Sequence, residues 1–156
     1  MTSAAPPHGF AATADAAAHA FVDTLDDAVV VDGPDGHHLE RVRRLRVGER
    51  LTLADGAGAW RPYRIVATAR AHLDVVADGP VVEEPPMTPR LAVAFGVGKG
   101  AKPEQVVSGL TELGVDRIVP FLSARSVVRW EGDRAAAAGA RLRRVAREAA
   151  MQCRRA

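Results

Sequence analysis

Residues 91–122, LAVAFGVGKGAKPEQVVSGLTELGVDRIVPFL, decide the fold class of the chain. The stretch begins with a nearly all-apolar run, Leu91–Val97, which predicts a strand buried on both faces. It ends with a second apolar run, Ile118–Leu122, which predicts the next strand. A helical pattern lies between them, so the order predicts the start of a parallel α/β sheet. Two strands cannot cover their own faces, and we therefore expect the sheet to continue beyond Ala156.

Two helices accompany these strands. Pro103 is typical of the first turn of a helix, and Gly114 is typical of a residue that ends one. The apolar positions of this first helix are Val106, Val107, Leu110 and Leu113. A longer helix is predicted from Arg134 onward, where Arg144 and Glu148 can form an i,i+4 ion pair. Its apolar stripe consists of Leu142, Val145, Ala149 and Cys153.

The first half of the chain has a β pattern instead. Short apolar or alternating runs predict strands at Ala28–Val31, Leu51–Leu53, Tyr63–Val66 and Leu73–Val76. Turn residues such as Asp32–Gly36 separate them, and several short strands with turns between them predict a small barrel. A short helix is predicted at His37–Arg46, ended by Gly48. Its apolar side consists of Leu39, Val42 and Leu45.

Two stretches of different composition divide the chain. The first residues are small and carry two prolines, and prolines recur near Pro85, where they prevent regular strand pairing and stiffen the chain. We therefore predict four parts: a flexible segment at 1–18, a barrel at 19–79, a linker at 80–89 and the α/β part at 90–156.

Basic residues are concentrated in two blocks. Residues 1–40 contain no Lys or Arg and seven Asp or Glu, although the net charge is +2. Residues 41–70 contain eight arginines, and residues 125–155 contain nine. Such blocks indicate a polyanionic partner, of which RNA is the obvious candidate. A genome rich in G and C, or ordinary solvated helix faces, accounts for the same pattern without a partner.

The sequence argues against several classes of protein. Cys153 is the only cysteine, so no disulfide framework is expected, which fits a reducing cytoplasm. No apolar run approaches the roughly 18 residues of a membrane span, and no basic start of a secretory signal is present. His37 and His38 have no second ligand cluster to join them, so no metal site is predicted.

Six short motifs now occur in the order found in one family. The first is His37–Glu49, HHLERVRRLRVGE, which resembles the pattern H-H-L-x-R-V-L-R-L-R-x-G-D. The other five are Leu53–Gly58, Gly98–Lys102, Thr111–Pro120, Ser123–Val128 and Arg147–Cys153. Over Phe21–Arg155 the chain resembles the RsmE-type ribosomal RNA methyltransferases.

The resemblance implies an α+β and α/β architecture. A PUA-like β-barrel that grips RNA would be followed by the first part of a SPOUT domain, a parallel sheet with a trefoil knot, which is a rare exception to the rule that chains do not knot. It also implies a homodimer that transfers a methyl group from S-adenosyl-L-methionine to N3 of one uridine in 16S ribosomal RNA. The methyl donor sits in the knot, on glycine-rich loops such as G-P-E-G-G.

That glycine-rich motif does not occur in these 156 residues. The cofactor-binding residues are therefore expected beyond Ala156, and the chain alone is expected to be inactive. The competing hypothesis is a non-catalytic RNA-binding fragment. Both place the chain in the cytoplasm.

The candidate RNA-binding residues of the first half surround the predicted short helix. They are His37, His38, Arg41, Arg44 and Arg46. A guanidinium group matches two phosphate oxygens at once, and such contacts give affinity rather than sequence choice. The alternatives are histidines that cap the helix and arginines on a solvated or ion-paired face.

The candidate RNA-binding and catalytic residues of the second half follow the two parallel strands. Lys99 and Lys102 come after the first strand, and Arg125 and Ser126 come after the second, where α/β proteins bind ligands. Methylation at N3 requires loss of the N3 proton, which leaves negative charge spread over the uracil carbonyl oxygens. A fixed Arg125 would stabilise that charge as a catalytic residue. The alternatives are an ordinary exposed turn for the lysines and a structural ion pair between Arg125 and Glu112.

Overall fold

The computed structural model describes residues 16–42 and 44–156, and for Pro34, Arg41 and Val42 it describes the backbone alone. The chain forms two compact units, one ending at Pro86 and the other spanning Met87–Arg155. The division falls inside the segment 80–89 that was predicted to be a linker. Most of the predicted flexible segment 1–18 lies outside the described residues.

The first unit contains a six-stranded sheet. Its strands are β1 (Ala18–Phe21), β2 (Ala28–Val31), β3 (Arg50–Ala54), β4 (Ala59–Ala69), β5 (His72–Ala77) and β6 (Val82–Glu83). The order is β1-β3-β4-β5-β2, with β6 paired to β4. Only β1 and β3 pair in parallel; the other pairs are antiparallel. No ladder between β1 and β2 occurs among the described residues, so closure into a barrel stays a prediction.

The four strands predicted in this half are confirmed, and two further strands were missed. β1 is alanine-rich and was assigned partly to the flexible segment, yet Ala18 and Ala20 are buried. β6 lies where prolines were predicted to prevent regular pairing, and that prediction is wrong. Val82 pairs with Trp60 because the two residues of β6 lie between Pro80 and Pro85 and keep their own N–H groups.

The predicted helix His37–Arg46 has different bounds and a different form. An α-helical turn, α1 (Gly33–His37), occupies most of the predicted turn Asp32–Gly36, and a π-helical turn follows at His38–Val42. Gly48 does not end the helix; its N–H donates to the Ile65 carbonyl at 2.8 Å instead. Leu39 and Leu45 are buried as predicted, and the side chain of Val42 lies outside the described residues.

The core of the first unit is the inner face of the sheet. Its most buried side chains are Leu39, Leu51, Leu53, Tyr63, Ile65, Leu73 and Val75. Tyr63 keeps its hydroxyl satisfied by donating to the Asp26 carbonyl at 2.7 Å. Burial raises the pKa of the Tyr63 phenol, against the opposing effect of the Arg61 guanidinium, whose carbon lies 5.9 Å from the ring centre. The phenol is therefore protonated at neutral pH and can serve as a donor.

The second unit has the predicted order of strand, helix, strand and helix. Its elements are β7 (Ala92–Gly96), α2 (Lys102–Glu112), β8 (Arg117–Phe121) and α3 (Gly132–Cys153). The two strands pair in parallel, from Ala92 with Arg117 to Gly96 with Phe121. Gly114 ends α2 with φ of 81°, as predicted.

Burial in the second unit corrects two expectations. β7 is not buried on both faces. Its residues Ala92, Ala94 and Gly96 are exposed, because the two helices pack chiefly on each other in the described chain. The buried side of α2 is Pro103, Val107 and Thr111. The predicted stripe is therefore wrong in part, and Leu113 is 77% exposed. On α3, Leu142 and Ala149 are buried as predicted, and Arg144 lies 3.8 Å from Glu148.

Replacing Tyr63 by Phe should lower the free energy of unfolding by about 1 kcal/mol, because the Asp26 carbonyl loses its donor. The loss should appear as a lower urea midpoint with an unchanged m-value. The folded-state pKa is raised, so this stabilisation is present below the unfolded pKa of about 10 and is lost as the pH rises through the folded value. A Tyr63→Phe variant as stable as the wild type at neutral pH would contradict the assignment.

Candidate functional site

The loops that follow β7 and β8 meet at one end of the two-stranded sheet. Because the strands are parallel, their carboxyl ends lie at the same edge, where α/β proteins place ligands. A cavity of about 370 Å³ lies there. It is lined by Gly96, Val97, Gly98, Lys99, Lys102, Ser123, Arg125, Ser126, Val127 and Val128, which together are called the strand-end cleft. Four predicted site residues, Lys99, Lys102, Arg125 and Ser126, are thus brought together.

The glycines after β7 let the chain turn directly into α2. The Val97 N–H donates to the Phe121 carbonyl at 3.0 Å, which holds the start of this loop against the end of β8. Gly100 has φ of 68°, a conformation that favours glycine. A side chain on Gly98 would lie 3.5 Å from Cδ of Lys102, so the stem of this lysine lies against the glycine. Lys99 and Lys102 are both exposed at the cleft.

The loop after β8 is closed by two serines. The Ser126 N–H donates to the Ser123 carbonyl at 2.9 Å, and the Ser123 N–H donates to Oγ of Ser126 at 2.9 Å. The two hydroxyl oxygens are 3.1 Å apart. Arg125 is exposed within this four-residue turn. Ser123 was not predicted as a site residue, although two serines three positions apart are a recognisable turn signal.

The charged side chains that line the cleft are all cations: Lys99, Lys102 and Arg125. The predicted alternative partner of Arg125 is engaged elsewhere, since Oε1 of Glu112 accepts from the Ser108 hydroxyl at 2.9 Å. No ion pair between Arg125 and Glu112 occurs in the described chain. Three cations and two hydroxyl groups without a carboxylate favour an anionic ligand.

The predicted RNA-binding residues of the first unit lie in its helical segment and the loop after it. His37, His38, Arg44 and Arg46 are exposed. Arg44 has φ of 55°, a left-handed conformation that a non-glycine residue rarely adopts. The backbone N–H of Arg46 donates to Oε2 of Glu49 at 2.7 Å. This contact does not involve the guanidinium group of Arg46. The side chain of Arg41 lies outside the described residues.

Several arginines of the two basic blocks stabilise the fold instead. Arg50 and Arg64 both contact Oδ2 of Asp78, at 2.7 Å and 2.9 Å. Arg61 binds Asp27 at 2.7 Å and donates to two backbone carbonyls. In the second block, the pairs with carboxylates are Arg141 with Glu104, Arg144 with Glu148 and Arg155 with Asp116. Composition alone therefore overstated the number of arginines available to a partner.

Residues 16–42 and 44–156 contain neither a metal-binding cluster nor a membrane-spanning helix. No group of three or more His, Cys, Asp or Glu side chains there could hold a metal ion. No helix in that part of the chain is long and apolar enough to span a membrane.

Known families match both units. An RNA methyltransferase PUA domain matches residues 31–77, and an RNA methyltransferase domain matches residues 84–156. The ribosomal RNA small subunit methyltransferase E of Mycobacterium bovis is 37% identical over 141 residues, which cover 87% of this chain and 53% of that protein. The protein of the same name from Bacillus subtilis is 26% identical, over a match that covers 78% of this chain and 48% of that protein. The chain thus spans about half the length of these relatives.

A solved structure shares the fold. The ribosomal RNA small subunit methyltransferase E of Neisseria gonorrhoeae, bound to S-adenosyl methionine, superposes with a TM-score of 0.69 at 27% identity. The match covers 88% of this chain and 58% of that chain. Both units of the present chain therefore have counterparts in proteins of this kind.

Replacing Ser126 by Ala should open the turn after β8, because the Ser123 N–H loses its acceptor. A lost hydrogen bond of about 1 kcal/mol predicts roughly fivefold faster exchange of the Ser123 amide hydrogen. The matched control is Ser108→Ala, which removes a hydroxyl bonded to Glu112 and should leave that amide unchanged. Equal exchange rates in all three proteins would show that the hydroxyl does not hold the turn.

Proposed function

Because the chain belongs to the RsmE family of ribosomal RNA small subunit methyltransferases, we propose that it holds ribosomal RNA for methylation of a uridine. The full activity would be transfer of a methyl group from S-adenosyl-L-methionine to N3 of one uridine in 16S ribosomal RNA. The first unit would close into a PUA-like barrel, and the second would be part of a knotted SPOUT domain. These 156 residues would bind RNA without completing the transfer themselves.

One observation carries the proposal: every charged side chain of the strand-end cleft is a cation. RNA presents one phosphate per nucleotide, and lysine and arginine groups at a concave surface attract that charge strongly. The exposed positions of Lys99, Lys102 and Arg125 leave their charged groups accessible to a bound strand.

The cleft residues would have two roles, holding the substrate RNA and activating its uridine. Lys99 and Lys102 would act as point charges on phosphates, which fix position without reading sequence. Arg125 would lie beside the carbonyl oxygens of uracil, where charge gathers when N3 loses its proton. Ser126 would act through the turn, since its hydroxyl oxygen accepts from the Ser123 N–H and so holds Arg125 in place.

The described cleft lacks the groups that the resemblance assigns to the methyl donor. No carboxylate side chain lines it to face the sulfonium or the ribose hydroxyl groups, and the glycine-rich motif G-P-E-G-G does not occur in these 156 residues. The donor, which supplies an electrophilic methyl group, would therefore be bound by other residues of the full protein.

The first unit would supply a second contact with the same RNA. His37, His38, Arg44 and Arg46 are exposed along one short segment, and Arg41 belongs to it in sequence. Their contacts would be with phosphates and would raise affinity. By family, the full protein would act as a homodimer in the cytoplasm.

A non-catalytic RNA-binding fragment is the second candidate function. The absence of the glycine-rich motif from the sequence favours it for these 156 residues taken alone. The two candidates share the RNA-binding step and differ in whether the complete protein transfers a methyl group.

RNA binding should weaken steeply with salt. A Lys99→Ala/Lys102→Ala variant loses two phosphate contacts. The negative slope of log K against log salt should therefore become shallower by about 1.4 to 1.8. Fluorescence anisotropy with a fragment of the small-subunit RNA measures the slope. The control is Arg64→Ala, whose guanidinium contacts Asp78 rather than the cleft. A salt-independent affinity in the wild type would refute the proposal.

Titration of the 156-residue chain with S-adenosylmethionine should give no binding heat up to about millimolar concentration, because the glycine-rich motif on which the resemblance places the donor does not occur in these residues. Isothermal calorimetry provides the measurement, with the RNA fragment as the positive control for a folded protein. Saturable binding of the methyl donor would contradict its assignment to other residues of the full protein.

A further inference from the structure

We propose that the tip of the β4–β5 hairpin, Arg70–His72, forms with His37 and His38 one RNA-contacting surface, called the hairpin surface. Arg70 is its principal phosphate-binding residue, and Gly36 is the residue that positions the two segments. This inference rests on the proposed function, because RNA is taken as the ligand. It extends the predicted site to a residue that neither the motifs nor the cleft includes.

Gly36 brings α1 into backbone contact with the hairpin tip. A side chain at Gly36 would lie 2.5 Å from the Ala71 carbonyl oxygen and 2.6 Å from that of Val31. Both neighbours are backbone atoms, which cannot move aside as a flexible side chain does. Only glycine fits this position, so the next residue, His37, lies beside the hairpin tip.

The pairing of β2 with β5 gives a second, independent constraint. Val31, the last residue of β2, pairs with Leu73, and His72 pairs with Ala69 across the hairpin. Because α1 follows β2 after a single residue, it begins next to the first residues of β5. The two-residue turn between the strands is Arg70–Ala71, and Ala71 has φ of 57°. Strand register and the glycine contact therefore place Arg70 and His37 at the same end of the sheet.

Arg70, in the turn after β4, differs from the arginines on β4. Arg61 and Arg64 on β4 hold Asp27 and Asp78. Arg70 is exposed at the turn, and no hydrogen bond or ion pair of its side chain occurs within the described part of the chain. Its guanidinium group is thus accessible to phosphate oxygens, which it can bind through two nitrogens at once.

The chemistry of the hairpin surface favours a nucleic acid backbone. Its exposed side chains are an arginine and two histidines, and none of the exposed large apolar side chains of the unit belongs to these residues. His72 contacts the Asp74 carboxylate at 2.9 Å, which fixes its ring and reduces its net attraction for phosphate. Arg70 therefore supplies most of the attraction, and its contact would raise affinity without selecting sequence.

The test is salt-dependent binding of the small-subunit RNA fragment by the 156-residue chain. An Arg70→Ala variant should bind about threefold to tenfold more weakly at low salt. Its negative slope of log K against log salt should be shallower than that of the wild type by about 1. Arg64→Ala is the matched control, since it removes the same group from the adjoining strand β4 and should keep the wild-type slope. Equal slopes for Arg70→Ala and the wild type would overturn the inference.

This failure is distinguishable from failure of the proposed function. If the wild type binds and the Lys99→Ala/Lys102→Ala variant lowers the slope while Arg70→Ala does not, the hairpin surface alone is refuted. If wild-type binding is salt-independent, the proposed function fails, and the hairpin surface fails with it.

The role of Gly36 can be separated from that of Arg70 by a double-mutant cycle. Gly36→Ala should separate α1 from the hairpin and weaken RNA binding, and Arg70→Ala should then cost less in the Gly36→Ala background than in the wild type. Circular dichroism verifies that Gly36→Ala is folded. Additive effects would show that Gly36 does not position Arg70. Should Gly36→Ala not fold, an Arg70→Glu variant decides the proposal, and it must bind more weakly than Arg70→Ala.

Discussion

The parallel pairing of β7 with β8 is the constraint on which the strand-end cleft depends. Strands in parallel end at the same edge of a sheet, so the loop after β7 and the loop after β8 must meet there. The hydrogen bond from the Val97 N–H to the Phe121 carbonyl extends this pairing to the first residue of the loop. In an antiparallel pair, Lys99 and Arg125 would lie at opposite ends of the sheet, and no common ligand could contact both.

Short local contacts then determine where each cation of the cleft can reach. The serine turn fixes the backbone around Arg125 with three contacts between Ser123 and Ser126. The stem of Lys102 lies against Gly98, within van der Waals distance of the position that a side chain there would take. Fixing these positions before a ligand arrives reduces the conformational entropy that binding must remove. The exposed cleft can therefore be ordered although most of its side chains are not buried.

The sequence predicts the elements whose pattern is local and misses those that depend on distant partners. The apolar runs of β2, β5 and β8 and the glycine after α2 gave correct elements, because each signal lies within the element itself. β1 carries little signal, since alanine has low β propensity, and it forms because β3, about thirty residues later, pairs with it in parallel. α1 contains Gly-Pro-Asp-Gly, a turn signal, and its Gly36 lies close to the backbone of Ala71, an approach that no local pattern predicts.

The same distinction separates arginines that hold the fold from arginines that can hold a ligand. Within strands, a neighbouring strand or loop can supply a carboxylate, as Asp78 does for Arg50 and Arg64, and no local pattern announces such a partner. At turns and strand ends, as for Arg70 and Arg125, the chain has left the ladder and no cross-strand neighbour faces the side chain. The position of an arginine within its element therefore predicts its availability better than the density of arginines around it. Binding to RNA would depend on those few residues, which is why a high arginine content alone left the partner undecided.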